Sequence, residues 1–280
     1  MFSKKKKEGP WVYDEAKYGE VNIRFLKGCQ MDVVEAQKRW VATCDWRERE
    51  KIDAILGEPQ PHYANVKRLY CHYYHRRARN GNFVYYERPG LSDIKALLKL
   101  PGVDIPAIVR HYAFTSEWMW RVCDPRLEGK LVSVWDITGV GAGDLFGDTL
   151  KLMRAMMAIM QAHCPERSEK LFVVNAPRWF ASMWRVVSPL LDPNTRKKID
   201  ILGKDFHAAL FEWVAPDQVP AEMGGQDPTP FGQSPEEVAM RAHVDAVTSG
   251  QWDGVTGEFP GLTEALAAAE TTIGGWAQGV

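Results

Sequence analysis

Glu166, Thr195 and Lys198 are the polar side chains of this chain whose types and setting suit binding chemistry. Glu166 follows Pro165, a pair that fits the first turn of a helix, where a carboxylate suits the dipole. Thr195 and Lys198 are three apart, so on a helical turn they share one face. A hydroxyl and an ammonium on one face can hold a phosphate as hydrogen-bond donor and point charge. Spacing alone leaves a helix start and a solvated turn as the competing reading. The three residues belong to the stretch from Cys164 to Asp205, which holds two short apolar strands, Leu171–Val174 and Ile199–Leu202. Between them Phe180, Trp184, Val187 and Leu191 recur at helical spacing. A greasy, movable helix beside an anion-compatible polar site is an arrangement that can shield one lipid molecule.

Other candidate chemistry is weaker. Asp136-Ile137-Thr138-Gly139-Val140-Gly141-Ala142-Gly143-Asp144 closes a strand and opens a helix, as a dinucleotide-binding turn does. Its glycine spacing is GxGxG, and Asp144 stands where a third glycine belongs and where a pyrophosphate would sit. Asp144 is expected as an N-cap and the segment as a tight structural turn. Cys71-His72-Tyr73-Tyr74-His75 has no second ligand cluster at structural-zinc spacing, so an aromatic strand edge is expected and no metal. No GxSxG elbow, GxxxxGK[ST] loop or HExxH helix is present. The expectation is a protein without a catalytic residue or cofactor.

These residues need elements to position them. Residues 1–19 form a basic N-terminal segment with Lys4–Lys7 and no apolar core of a secretory signal. Residues 20–60 read as a small helical lobe of two short amphipathic helices, closed by Gly57-Glu58-Pro59-Gln60-Pro61. Residues 61–225 alternate strands and helices. Phe83–Tyr86 follows an Asn80-Gly81 turn, Ile105–Val122 is helical and Leu131–Trp135 is the next strand. Asp144–His163 is a helix with Leu145, Leu152, Met153, Met156, Met157 and Met160 on one broad face. The Trp179–Leu191 helix and a Phe206–Trp213 helix flank the last strand. The expected fold class is α/β, with a mostly parallel sheet. Residues 226–280, rich in Gly, Ala, Thr and Pro, are expected as a partly disordered appendage. They carry one helix capped at Ser234-Pro235-Glu236-Glu237 and another near Leu262–Ala269.

Composition excludes some functions. The formal net charge is −1, which argues against a general nucleic-acid binder. The five scattered cysteines read as free thiols of a reducing compartment. No run approaches the ~18 apolar residues of a membrane span. Eleven Trp and ten Met suit large, irregular apolar volumes and variable partners.

Taken in order, Glu20–Gly28, Trp46-Arg47, Tyr73-Tyr74-His75, Asn80-Gly81, Val84-Tyr85, Asp136–Gly139, Pro165-Glu166-Arg167, Asn175-Ala176-Pro177 and Leu191–Ile199 resemble the CRAL-TRIO lipid-binding family. Within it, they resemble the Sec-fourteen-like phosphatidylinositol/phosphatidylcholine transfer branch. The likeness runs from about 20 to 225 and ends in Pro220–Gly225. It implies a helical N-terminal lobe and an α/β lobe whose sheet floors an apolar lipid pocket. Trp179–Leu191 would be the gate helix, with Phe180, Trp184, Val187, Leu191, Met153 and Met156 lining gate and pocket. It places a phosphatidylinositol headgroup on Glu166, Thr195 and Lys198. Phosphatidylcholine, as second lipid, would fall on Tyr74, Tyr85 and Ser133. The companion hydroxyl position holds Leu131, and Gly81-Asn82-Phe83 replaces the family's Gly-Arg-Pro. Asp136 is expected to hold the strand end.

The implied function is non-catalytic: transfer of single phospholipids, chiefly phosphatidylinositol, between membranes, or their presentation to a lipid kinase. A cytoplasmic monomer, peripheral at Golgi, endosomal or other membranes, is expected. One alternative is a lipid-sensing module for a sterol-like or tocopherol-like ligand, with 226–280 docking a partner. A further alternative is a nucleotide-dependent enzyme using the Gly139–Gly143 turn.

Overall fold

A computed structural model describes residues 11–188 and 193–252. Lys4–Lys7, Leu191 and the helix expected near 262–269 lie outside the described residues. The helical lobe opens with α1 (Glu15–Tyr18), α2 (Ile23–Gly28) and α3 (Val33–Arg49), followed by a 3-10 turn at Ile52–Gly57. Two short helices were expected across this span, yet α3 alone runs 17 residues. Asp32 caps it by accepting from the Glu35 N–H at 3.0 Å, and no glycine or proline interrupts the chain before Gly57. The lobe is fastened to the rest by Trp46, which stacks on His163 at 4.1 Å, and by Arg47, which forks onto Glu117 at 2.9 and 2.8 Å.

Next come α4 (Tyr63–Leu69), β1 (His72–Arg77) and β2 (Phe83–Glu87). The antiparallel return between the strands uses the Asn80-Gly81 turn, where Gly81 has φ +80°. The chain continues through α5 (Ile94–Leu97), α6 (Ile105–Trp118) with a π turn at Met119–Cys123, β3 (Leu131–Asp136) and α7 (Asp148–His163). It closes with β4 (Ser168–Val174), α8 (Arg178–Val187), α9 (Pro193–Lys197), β5 (Ile199–Ile201), α10 (His207–Trp213) and α11 (Pro235–Thr248). The sheet order is β1-β2-β3-β4-β5, parallel from β2 onward, with helical crossovers as the alternation of elements predicts.

Two features of the Gly-rich turn depart from expectation. Asp144 does not cap the following helix. Its Oδ2 accepts from the Gly141 N–H at 2.9 Å, which closes a 3-10 turn at Ala142–Leu145. Gly147 then turns with φ +65°, so α7 starts at Asp148. Asp136 holds this region as expected: Oδ1 accepts from the Thr138 N–H at 3.1 Å, the Thr138 hydroxyl at 2.6 Å and the Asn175 amide at 2.9 Å.

One sheet face is filled by Val84, Tyr86, Val132, Val134, Phe172 and Val174 against Phe206 and Leu210 near α10. On the other face, Tyr74, Phe83 and Tyr85 pack under α6 and α11. Residues 226–252 are therefore no loose appendage. Helix α11 begins where expected, with Ser234 at the N-cap, and buries Ala239, Met240 and Val244 in the main core. Its docking rests on polar pairs that composition conceals. Glu237 meets Lys67 at 2.8 Å and accepts the Tyr74 N–H at 2.9 Å, while the Ser234 hydroxyl donates to the Tyr74 carbonyl at 2.7 Å. Among the described residues no helix is long and apolar enough to cross a membrane.

Candidate functional site

Register places Tyr74, Tyr85, Ser133, Leu171 and Ile199 in one row across all five strands, on the face opposite α10. Two residues along, the row is His72, Glu87, Trp135, Val173 and Ile201. Strand β3 alternates in burial: Val132, Val134 and Asp136 are buried, whereas Leu131, Ser133 and Trp135 on this face are half-exposed. Leu171, Ile199 and Ile201 are half-exposed too. A strand this apolar on both faces is normally covered twice. Here α6 and α11 cover the β1–β2 end and reach Leu131, and α8 covers the β4–β5 end and reaches Trp135, which leaves Leu131, Ser133 and Trp135 of β3 half-exposed between the two.

Helix α8 supplies the cover. Phe180 is buried against Ile137, Val140 and Val173, with half-buried Trp179 and Trp184 beside it. Arg178, Ala181, Ser182 and Arg185 are exposed, so the helix carries one apolar and one polar face. Val187 is its last residue. From α7, Met156 is buried and Met153 half-buried, and the Met156 sulfur lies 3.8 Å from the Tyr70 hydroxyl.

The polar residues fall into two groups. At the start of β4 and β5, Lys198 Nζ lies 3.5 Å from Glu166 Oε2, both side chains partly exposed. Glu166 does not open a helix. It occupies the turn between α7 and β4 with φ +56°, because the chain must reverse there for Arg167 to offer its carbonyl to the Leu131 N–H at 2.8 Å. Thr195 sits on α9, exposed, and its carbonyl accepts the Lys198 N–H at 3.0 Å. The second group is Tyr74, Tyr85 and Ser133. The two tyrosine rings are 5.4 Å apart, and Ser133 is Tyr85's register neighbour. Both hydroxyls are engaged within the protein: Tyr74 donates to the Thr115 carbonyl at 3.4 Å and Tyr85 to Glu87 at 3.3 Å.

Sequence reasoning missed Glu87. Its carboxyl accepts from Tyr70 at 2.9 Å as well as from Tyr85, and burial pushes it up to about 7. Arg167 was read only as part of a motif. Its guanidinium is buried, lies 3.8 Å from the Trp120 ring centre and donates to the Gly129 carbonyl at 2.7 Å. Burial and then the nearby Arg24 pull it down to about 9. His72 and His75 serve structure: His72 Nδ1 pairs with the Tyr70 carbonyl at 2.8 Å and His75 Nε2 with Asp227 at 3.0 Å.

The sequence model of the CRAL/TRIO domain matches residues 67–225. Over 218 residues the chain is 28% identical to the Sec14 cytosolic factor of Schizosaccharomyces pombe, covering 75% of each protein. It is 27% identical over 217 residues to the phosphatidylinositol/phosphatidylcholine transfer protein SFH11 of Arabidopsis thaliana, covering 75% of this chain but 58% of that longer one. The crystal structure of Sfh5 superposes with a TM-score of 0.61 at 18% identity, over 78% of this chain and 77% of that one, a likeness of fold. An apolar floor under an amphipathic helix, a matching domain model over more than half the chain and relatives of the same kind lead to one assignment: the chain belongs to the CRAL/TRIO domain family.

Proposed function

We propose that this protein binds one phospholipid at a time, chiefly phosphatidylinositol, and moves it between membranes or presents it to a lipid kinase. The half-exposed apolar strip on β3–β5 beneath α8 carries this reading. Bare hydrocarbon surface on an inner sheet face is unfavourable in water, and an acyl chain covering it gains about 0.8 kcal/mol per buried CH₂. The likeness to a phosphatidylinositol/phosphatidylcholine transfer protein supports the ligand class. On this reading Glu166, Thr195 and Lys198 hold the inositol-phosphate head. Lys198 supplies the charge, Thr195 a hydroxyl, and Glu166 accepts from inositol hydroxyls. Tyr74, Tyr85 and Ser133 take a second headgroup, phosphatidylcholine. No covalent step is involved, and the protein acts as a monomer that visits membranes from the cytoplasm. Lifting α8 exposes Phe180 and Trp184, so opening is favoured at a membrane surface.

Mass spectrometry of lipid extracted from the purified protein should find phosphatidylinositol; a neutral apolar ligand alone would remove the headgroup assignment. Lys198→Ala should lower phosphatidylinositol transfer between vesicles at least tenfold, and equal transfer by variant and parent would refute the role of Lys198.

A further inference from the structure

Glu87 lies in the floor row beside Trp135, and among the described residues no cation pairs with it. Its contacts are hydroxyls: Tyr70 at the end of α4, 2.9 Å from Oε1, and Tyr85 of β2, 3.3 Å from Oε2. Tyr112 of α6 is near enough to feel its charge, and the Met156 sulfur of α7 lies 3.8 Å from the Tyr70 hydroxyl. His72 of β1 and His111 of α6 stand beyond Tyr70, 3.2 Å from each other and kept neutral by burial. Lys67 is turned to Glu237. Arg88 is held by Glu222 and Asp136.

A hydroxyl has one proton to donate. In this structure Tyr85 gives it to Glu87, so a phosphodiester that needs Tyr85 must take it away. An ionised Glu87 would then lose a donor in a half-buried place and face a second anion across the same hydroxyl, which is doubly unfavourable. A protonated Glu87 reverses both effects. It no longer needs Tyr85, and its own O–H becomes a donor to a phosphate oxygen.

We propose that Glu87 decides which headgroups the Tyr74–Tyr85–Ser133 site accepts: a phosphodiester lipid enters there with the Glu87 carboxyl protonated, taking up one proton from solvent. The inference rests on the second-headgroup reading given above. Burial pushes the carboxyl up to about 7, and a phosphate beside it would raise it further, so uptake at this site weakens as pH rises through about 7.

The test uses the full chain, stripped of lipid and offered radiolabelled phosphatidylcholine in vesicles from about pH 6 to about pH 9. Parent uptake should fall about tenfold per pH unit above about 7, the slope of a one-proton linkage. Glu87→Gln, isosteric and uncharged, should give a flat profile at or above the parent's low-pH value. Tyr70→Phe removes a donor to the ionised form, so its midpoint should move to higher pH, a shift that loss of packing alone would not produce. Thermal melts check that each variant is folded. Identical pH profiles for parent and Glu87→Gln would overturn the proton coupling alone. No phosphatidylcholine uptake by either protein at any pH, with phosphatidylinositol uptake intact, would remove the second-headgroup site and this inference with it.

Discussion

Lys198 and Glu166 form a loose pair, 3.5 Å apart with side chains 26% and 30% exposed. Such a pair contributes under about 1 kcal/mol, so a phosphate that replaces one partner meets little resistance. Leu131 is the residue that most sharply separates this floor from the family pattern, since a serine in register with Phe83 would add a hydroxyl one row from Ser133. Leu131→Ser should raise phosphatidylcholine transfer several-fold while lowering the melting temperature by a few degrees, because it removes a half-buried apolar side chain. Unchanged phosphatidylcholine transfer would mean that the second site is built without this strand position. The roles proposed for Glu166, Thr195 and Lys198 rest on the family resemblance; by type and spacing alone they read first as a helix start and a solvated turn. Glu87 was not legible at all. Tyr-Tyr-Glu looks like the end of an ordinary strand; burial raises its carboxyl against hydrogen bonds from Tyr85 and from Tyr70, the latter 17 residues away in sequence, and neither is visible in the strand pattern.

Among the elements, strands and crossover helices were readable because burial on both faces gives continuous apolar runs bounded by turns. Their exact starts were not. Asp144 satisfies the preference for a helix cap and for a 3-10 turn equally, and Gly147 decides between them. Helix α11 was placed correctly, but its role was misjudged because its strongest attachments are polar. Lys67 and Glu237 are 11% and 2% exposed, so Glu237→Ala leaves an ammonium with little water and the Tyr74 N–H without its acceptor. The expected loss is about 3–5 kcal/mol of unfolding free energy, measured by urea denaturation. A loss below ~1 kcal/mol would show that α11 is held by its apolar face alone. A second element test concerns the turn after β3. A Cβ on Gly90 would sit 1.8 Å from the Thr138 carbonyl oxygen, so Gly90→Ala must displace the backbone that positions Val140 under Phe180. Destabilisation of about 2 kcal/mol or more is expected, with α8 the first helix to lose amide protection in hydrogen exchange.

For the molecule as a whole, five histidines govern the response to acid. His72, His75, His111, His163 and His243 all have folded-state values lowered chiefly by burial, His163 to about 4. Each binds its proton more readily unfolded, so the stability it contributes is complete above about 6.5 and is lost as pH falls below that. Glu87 and Glu236 are shifted upward and run the other way, but they are two against five. The melting temperature should therefore be level above neutrality and fall by about 5 °C or more between about pH 7 and pH 5. A rise over that range would mean the carboxyls dominate. The attachment of α11 has one more consequence. Strand β1 is the sheet's antiparallel edge, and the outward N–H and C=O of Tyr74 are taken by side chains of Glu237 and Ser234. Those two residues stand in for the peptide of a sixth strand. A chain cut after Gly225 would keep the whole matched domain yet leave that edge open for another molecule to pair with, and self-association into aggregates would set the limit on its use.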